Sequence, residues 1–210
     1  MYELFLSAFV TLFVVIDPPG CAPIYAGLSA EANRSQAISM AGRACLIATA
    51  ILIVFALFGE RLLHALHIEL NAFRIAGGIM LFMIAIDMVF EKRTQRREER
   101  AEKIIAHNME TPEVDDVSVF PMAMPMLAGP GSIATIMLLT SRAHGMEETL
   151  AVLAAMIAVM LLSFAALAAA GPLMRVLGDK VEAVITRLLG VLLAALAAQY
   201  VIDGVKAVLL

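Results

Sequence analysis

The chain contains apolar stretches long enough to cross a lipid bilayer. A hydrocarbon core about 30 Å thick needs about 20 predominantly apolar residues per helix. Six stretches approach or exceed this length, at residues 4–29, 40–59, 73–90, 118–140, 149–171 and 184–204. The composition agrees, because 61% of the residues are hydrophobic and only 16% are charged, against about 45–50% and about 25% in soluble domains. We therefore expect an all-α integral membrane protein with six transmembrane helices.

Two of these stretches are interrupted by proline and glycine. The first contains DPPG at residues 17–20, and the fourth contains PMLAGPG at residues 125–131. Each proline removes a backbone donor, and lipid offers no replacement. Such breaks occur at membrane depth only where the freed backbone groups are buried in protein or line a cavity. We therefore predict that the first and fourth helices are broken and that their breaks meet inside the protein. The alternative is a pair of proline kinks that only bend helices for packing.

One long polar stretch, residues 91–117, divides the chain into two halves. Each half, 1–90 and 118–210, contains three spans, so the second half enters the membrane from the opposite side to the first. Three motifs recur at offsets of 111 to 113 residues: Pro19-Gly20 with Pro130-Gly131, Gly59 with Gly171, and Arg74 and Gly77 with Arg187 and Gly190. This pattern predicts two inverted three-helix repeats. The alternative is that residues common in membrane helices align by chance.

The distribution of Lys and Arg indicates the orientation, because cytoplasmic loops carry an excess of them. If the amino terminus is outside, the cytoplasmic loops hold eleven of the fifteen basic residues, six of them in the 91–117 linker. The external side keeps Arg61, Arg74, Arg142 and Lys206. We therefore predict that both termini are outside and that the linker is cytoplasmic.

Charge and cysteine content argue against other classes of protein. The net charge is −4 and no basic face is present, so a nucleic-acid partner is not expected. Cys21 and Cys45 lie in apolar runs without metal-ligand spacing, so we expect neither a disulfide nor a metal site. No nucleophile with a base is apparent, so we expect neither enzymatic activity nor a cofactor. A channel and a non-transporting membrane scaffold remain alternatives to a transporter.

The two breaks carry the candidate site. A half-helix that begins at a break offers N–H groups to an anion, and the half-helix before it offers carbonyls to a cation. Paired interrupted helices in two halves indicate the substrate site of a secondary transporter, and a zwitterion suits both ends. The candidate substrate-binding residues are Asp17, Pro19, Gly20, Cys21 and Pro23 in the first half and Gly129, Pro130, Gly131, Ser132 and Thr135 in the second.

Asp17 has two possible roles. As a buried ionisable group it would contact the substrate's ammonium and exchange protons, so protons or another coupling ion are expected as partners. As a helix N-cap it would only accept a backbone N–H bond. Gln199 is predicted to hydrogen-bond across helices. Four charged side chains near helix ends either reach the interface or take part in coupling and gating: Arg74, Asp87, Arg187 and Asp203.

The motifs IDPPGCAPIY, LAGPGSIATIMLL and FRIAGGIMLFMIAIDMVF together resemble the MarC family of bacterial and archaeal inner-membrane proteins. The resemblance spans the whole chain and implies six transmembrane helices in two inverted repeats, within the LysE-like superfamily of exporters. It also implies transport of small neutral amino acids such as glycine and alanine. Asp17, Pro19, Gly20 and Pro23 match the family's first motif, and residues 129–131 match its second. A homo-oligomer is left open.

Overall fold

The computed structural model of the chain describes residues 2–90 and 116–209, and every regular element in these ranges is helical. Five helical segments, the first of them Tyr2–Leu28, are long and apolar enough to cross a membrane, and six crossings result if the bent pair Ser118–Leu127 and Pro130–Ser141 counts as one. The expectation of an all-α, multi-pass membrane protein is confirmed. The predicted linker, residues 91–117, lies outside the described residues except for its last two. The helices are α1 (Tyr2–Ile16), α2 (Pro18–Leu28), α3 (Arg34–Ala65), α4 (Leu70–Val89), α5 (Ser118–Leu127), α6 (Pro130–Ser141), α7 (Met146–Ala168) and α8 (Ala170–Leu209).

A single residue separates α1 from α2. Asp17 has φ 58° and ψ 64°, in the left-handed region, and the two prolines that follow have the fixed φ that suits a first helical turn. The Asp17 N–H still donates to the Phe13 carbonyl at 2.9 Å, and the Cys21 N–H donates to the Asp17 carbonyl at 3.1 Å. The chain therefore continues as one crossing unit, Tyr2–Leu28.

The helix α5 is irregular along its whole length. Its hydrogen bonds reach back five residues, as from the Met122 N–H to the Val117 carbonyl at 3.2 Å. Phe120 and Met124 have extended backbone, each with φ −131°. Both precede a proline, and the proline ring disfavours helical backbone in the residue before it. The irregularity therefore begins at Phe120, earlier than the break predicted at residues 125–131, and α6 continues at an angle of 53° to α5.

The helix α8 begins earlier than the sequence predicts. It runs for 40 residues from Ala170, and only Ala169 lies between it and the end of α7. The apolar pattern instead predicts a connection between residues 171 and 184. Only Ala183–Leu209 is apolar enough to cross a membrane. Hydropathy measures affinity for lipid, and a helix can continue through polar residues outside the bilayer. Pro172 is compatible with this helix because it lies in the first turn.

Two apolar clusters form the core. One joins α1, α2, α3, α5, α6, α7 and the first residue of α8, Ala170, and includes Leu12 and Met156. The other joins α1, α4, α6 and α8 and includes Val15, Leu81 and Leu138. Because α1 and α6 contribute to both clusters, these two helices occupy the centre of the protein.

Glycines let α4 and α8 pack closely. A Cβ atom on Gly78 would lie 2.9 Å from the Ala197 carbonyl oxygen, and one on Gly190 would lie 3.2 Å from the Ala85 carbonyl oxygen. Real Cβ atoms rarely come this close to backbone, so glycine is needed at both positions. The two contacts are related by one offset, since 78 + 112 = 190 and 85 + 112 = 197.

Two ion pairs lie at opposite ends of the α5–α6 unit. Arg43 of α3 pairs with Asp116, just before α5, at 2.8 Å, and Arg142, just after α6, pairs with Asp203 of α8 at 2.7 Å. Partial burial opposes ionisation of Asp116, but a hydrogen bond from Ser118 and the Arg43 guanidinium together lower the pKa of this carboxyl below its ordinary value. Arg43 and the end of the linker therefore lie on the same side of the protein, as the predicted topology requires.

Candidate functional site

Asp17 is buried at the break between α1 and α2, with 1% of its surface exposed. Its Oδ1 accepts a hydrogen bond from the Gly20 N–H at 3.2 Å. A side chain on Gly20 would collide with the Asp17 carboxylate, so only glycine lets the carboxylate fold over the first turn of α2. The structure thus gives Asp17 the N-cap role that the sequence left as one of two possibilities.

The other first-half candidates lie on α2. Cys21 is fully buried, and its thiol donates to the Ile16 carbonyl oxygen at 3.6 Å. Pro19 and Pro23 are half-buried on the same helix. Because Cys21 bonds to the last residue of α1, it helps to hold the two half-helices together across the break.

The second break leaves the start of α6 without a side-chain cap. Gly129 occupies the N-cap position, and a side chain there would collide with the Pro125 carbonyl oxygen. The first backbone hydrogen bond of the helix runs from the Ile133 N–H to the Gly129 carbonyl at 3.0 Å. The N–H groups of Gly131 and Ser132 precede this bond, and the described part of the chain offers them no acceptor.

The exposure of these residues differs along the first turn of α6. Pro130 is exposed, Gly131 is buried and Ser132 is 3% exposed. The free N–H groups therefore lie inside the protein, where an unpaired donor is costly. The equivalent start of α2 differs, because the Asp17 carboxylate occupies it.

Thr135 is fully buried, and its hydroxyl has no hydrogen-bond partner within the described residues. By contrast, Thr49, Thr140 and Ser163 each donate to a carbonyl four residues earlier, at 2.7 to 2.9 Å. Leaving a buried hydroxyl unpaired costs about 1–3 kcal/mol. Because Cα–Cβ bonds tilt toward the start of a helix, the Thr135 side chain leans toward the first turn of α6.

The structure brings the start of α6 against the end of α1. A Cβ atom on Gly131 would lie 3.5 Å from Val15 Cγ1, 3.8 Å from Leu81 Cδ2 and 2.5 Å from Ile84 Cδ1. Val15 precedes Asp17 by two residues, so the two breaks are neighbours in space. The surface between them is apolar, and the missing side chain of Gly131 leaves room for the end of the Ile84 side chain of α4.

The polar side chains of α8 make different contacts from the one that the sequence predicts. The Gln199 amide donates to Asp203 Oδ1 at 2.6 Å within α8, so the predicted bond across helices is wrong. Asp203 also pairs with Arg142, a contact that the sequence did not indicate. The two residues are 61 positions apart, and no local spacing rule connects them.

The matched glycines Gly59 and Gly171 have different surroundings. A Cβ atom on Gly59 would lie 2.7 Å from Met137 Cγ, whereas one on Gly171 would meet open space. The two positions therefore do not share a packing role, although they align at the common offset.

Comparison with known proteins agrees with the motifs at the two breaks. Residues 2–209 match the model of the MarC family integral membrane proteins. The chain belongs to the MarC family. This MarC chain is 32% identical to a UPF0056 membrane protein of Methanocaldococcus jannaschii, over 99% of this chain and 98% of the relative. It is 34% identical to a relative from Aquifex aeolicus, over 97% and 92% of the two chains. A relative named as an inner membrane protein in Escherichia coli is 31% identical over 96% and 95%.

No solved structure matches this MarC chain. Family membership confirms the resemblance carried by the three motifs and establishes an integral, multi-pass membrane protein. The names of these relatives state a membrane location and give no substrate. The chemistry of this MarC chain therefore has to be argued from its own site.

Proposed function

We propose that this MarC protein is a secondary transporter that moves small neutral amino acids, of the size of glycine or alanine, by alternating access around the two breaks. One observation carries the proposal: Gly131, Ser132 and Thr135 are buried at the start of α6, beside the end of α1, and hold unpaired donors. The N–H groups of Gly131 and Ser132 and the Thr135 hydroxyl have no partners within the described residues. Such a cluster of unpaired polar groups inside an apolar core suits a polar ligand that binds and leaves.

The two half-helix starts suit the unlike ends of a zwitterion. The start of α2 is already occupied by the Asp17 carboxylate, whereas the start of α6 has free N–H groups and a positive dipole end that favour an anion. We assign the substrate carboxylate to α6. The ammonium is assigned to the region of Asp17, where a carboxylate and the end of α1 favour a cation.

The walls of the site favour a small substrate. Val15, Leu81 and Ile84 fill the space that a side chain at Gly131 would take. These neighbours are apolar and already in contact distance, so a methyl group or a hydrogen would be accommodated with the least displacement. A large or charged substrate side chain would have to separate α1 from α4 or remain unpaired in an apolar wall.

We further propose that the two halves are inverted repeats. If the two halves are equivalent, α1 corresponds to α5, α2 to α6, α3 to α7 and α4 to α8. Each contact then predicts a contact between the corresponding helices. Under this correspondence, contact α1–α7 becomes α5–α3, α2–α7 becomes α6–α3, and α4–α6 becomes α8–α2, and all six contacts occur, whereas α1–α6 and α1–α8 have no counterpart of similar extent in the described part of the chain. The glycine contacts between α4 and α8 also exchange at the offset of 112. Two equivalent halves supply the two equivalent half-states that alternating access requires.

Burial of the site favours a carrier over a channel. Asp17, Ser132 and Thr135 are each at most 3% exposed, so a polar solute at the breaks would be enclosed by protein. A conducting pore would instead need a continuous polar path. The basic residues support an inner-membrane orientation with both termini outside, since Arg43 lies beside the end of the linker.

Counterflow in proteoliposomes tests this function. Vesicles that contain the purified protein and unlabelled glycine should transiently accumulate labelled glycine from the outside, because an alternating carrier exchanges one molecule for another. Protein-free vesicles provide the background, and Gly131→Leu should abolish the signal because leucine cannot fit against Ile84. Absence of counterflow for every small neutral amino acid, with the protein folded, would reject the proposed function. Entry of label without transient accumulation would indicate a channel.

A further inference from the structure

Three basic residues meet at one end of the α4–α8 pair: Arg74, Arg142 and Lys206. The Arg142 guanidinium lies 4.7 Å from the centre of the Tyr200 ring and 2.7 Å from Asp203 Oδ2. Lys206 follows Asp203 by three residues on α8, and Arg74 precedes Ile75, which packs against Gly204 of the same helix end. Three cations share one carboxylate here, so the formal charge of these four ionisable groups is 3 − 1 = +2.

Arg74 is the least satisfied member of this cluster. Its Nε atom is buried and has no hydrogen-bond partner within the described residues. The next residue, Ile75, packs against α8, since a Cβ atom on Gly204 would lie 2.7 Å from Ile75 Cγ1. A guanidinium N–H that is buried without an acceptor is costly. An anion that reaches this position would satisfy the donor and offset the excess positive charge.

The same three residues are exceptions to the charge asymmetry of the chain. Of the four basic residues that the predicted topology leaves outside, Arg74, Arg142 and Lys206 belong to this cluster. Because they lie on the predicted external side, these residues reduce the cytoplasmic excess of positive charge that orients membrane proteins. Asp203 supplies one negative charge against their three positive ones. Their convergence is therefore better explained by a local ligand than by topology.

Apolar side chains continue from the cluster along α8. Ile202, Leu192 and Leu188 are 46%, 58% and 63% exposed, and they run from the cluster toward the middle of a helix that is apolar enough to cross the membrane. These side chains would contact hydrocarbon in a bilayer. A ligand at this position would therefore meet positive charge at one end and an apolar helix surface along its length.

We propose that Arg74, Arg142 and Lys206 form a binding site for the phosphate of an anionic phospholipid whose acyl chains lie along α8. Guanidinium groups bind phosphate oxygens in paired hydrogen bonds, and the phosphate of a phospholipid lies at the level of the helix ends where these residues converge. The site is separate from the two breaks and does not depend on the proposed transport function. Bound lipid would join α4 and α8 to the loop after α6.

Thermal unfolding of the detergent-purified full chain tests the site. Added phosphatidylglycerol should raise the melting temperature more than phosphatidylcholine does, and native mass spectrometry should show retained phosphatidylglycerol. Arg74→Gln and Arg142→Gln should each reduce the apparent lipid affinity at least about tenfold, because each removes a charge-assisted bond to phosphate. Arg74→Lys, which keeps the charge, should retain most of the preference for the anionic lipid and remains informative if the glutamine variant does not fold.

Arg61→Gln is the matched control, because Arg61 is on the same predicted side but lies over the Phe58 ring, 5.8 Å from its centre. This variant should leave lipid binding unchanged. Equal stabilisation by the two lipids, or an equal loss in Arg61→Gln, would overturn the proposal. Full stabilisation by inorganic phosphate alone would also overturn it, because the site would then recognise a free anion and not a lipid.

Discussion

Asp17 holds two neighbouring elements in place with one side chain. Its left-handed backbone ends α1, and its carboxylate caps α2 through the Gly20 N–H. A cap requires only an acceptor oxygen, which asparagine supplies about as well as aspartate. A contribution of the Asp17 charge, or of its proton exchange, to transport would therefore appear as a difference between the aspartate and the asparagine variants.

Replacing Asp17 by asparagine should separate capping from proton coupling. We expect Asp17→Asn to fold normally, because the acceptor for Gly20 is kept, and to retain glycine counterflow with a raised KM, because the charge near the ammonium is lost. The same variant should lose its response to an imposed pH gradient, because asparagine cannot exchange a proton. Counterflow and gradient-driven uptake are measured on the same vesicles. A variant whose uptake follows the pH gradient as the parent does would leave Asp17 with the capping role alone.

Thr135 allows a second test at the scale of one atom. Thr135→Val replaces the unpaired hydroxyl by a methyl group of similar size, so the empty protein should become more stable by about 1 kcal/mol. The KM for glycine should rise about three- to tenfold if the hydroxyl bonds to the substrate, which corresponds to one hydrogen bond. Thr135→Ser keeps a hydroxyl and should stay near the parent KM. An unchanged KM in the valine variant would remove Thr135 from the site.

At the scale of elements, the α4–α8 contact depends on glycine more than on large side chains. Gly78→Ala would place a Cβ atom 2.9 Å from the Ala197 carbonyl oxygen and 3.0 Å from the Val201 nitrogen. Because these are backbone atoms, the two helices would have to separate. We expect the free energy of unfolding to fall by roughly 1–3 kcal/mol, as in other overpacked cores, and thermal unfolding in detergent would measure it.

Gly27→Ala is the control for this substitution. Gly27 also lies inside a helix, but a Cβ atom there would meet nothing within 4 Å. Alanine should therefore stabilise the protein by about 0.5–1 kcal/mol, through the lower backbone entropy of the unfolded chain. If both variants change the stability by the same amount, close packing at Gly78 is not needed.

At the scale of the whole molecule, the ion pairs divide the protein into two ends. Arg43 with Asp116 marks the end where the linker stops, and Arg142 with Asp203 marks the other end of the α5–α6 unit. The charge asymmetry predicts that the first end is cytoplasmic. The two ion pairs define which residues share an end of the protein. The prediction that the first end faces the cytoplasm comes from the charge asymmetry and is tested separately.

Labelling of a single cysteine tests the orientation. Cys21 and Cys45 are replaced first, and a cysteine is then placed at Gln95 in the linker. We expect membrane-impermeant thiol reagents to leave this cysteine unlabelled in intact cells and to label it after the membrane is opened. The reason is that the linker holds six of the eleven Lys and Arg residues predicted to be cytoplasmic, and such residues favour the cytoplasmic side. A cysteine at Glu147, an exposed residue in the first turn of α7, is the control and should label in intact cells. The reverse pattern would invert the topology.

The sequence by itself determined the class of the protein, an all-α membrane protein with five to six candidate crossing regions, and pointed to prolines and glycines at which helices end. These features follow from the bilayer, which sets the length of each span and leaves no external partner for a freed backbone group. Proline and glycine identify such positions locally, so Asp17 and residues 129–131 could be recognised without a structure. The early start of α8 could not, because hydropathy does not separate a polar helix from a polar loop.

Only the tertiary structure decided which of these local features meet. Gly131 lies against Val15 across 131 − 15 = 116 positions, and Arg142 pairs with Asp203 across 61. Such contacts depend on which helix faces turn toward each other and at what height, and hydropathy along one span carries no information on either. The unpaired Thr135 hydroxyl has the same origin, because threonine commonly bonds to its own helix and only the packing of α6 shows that this one does not.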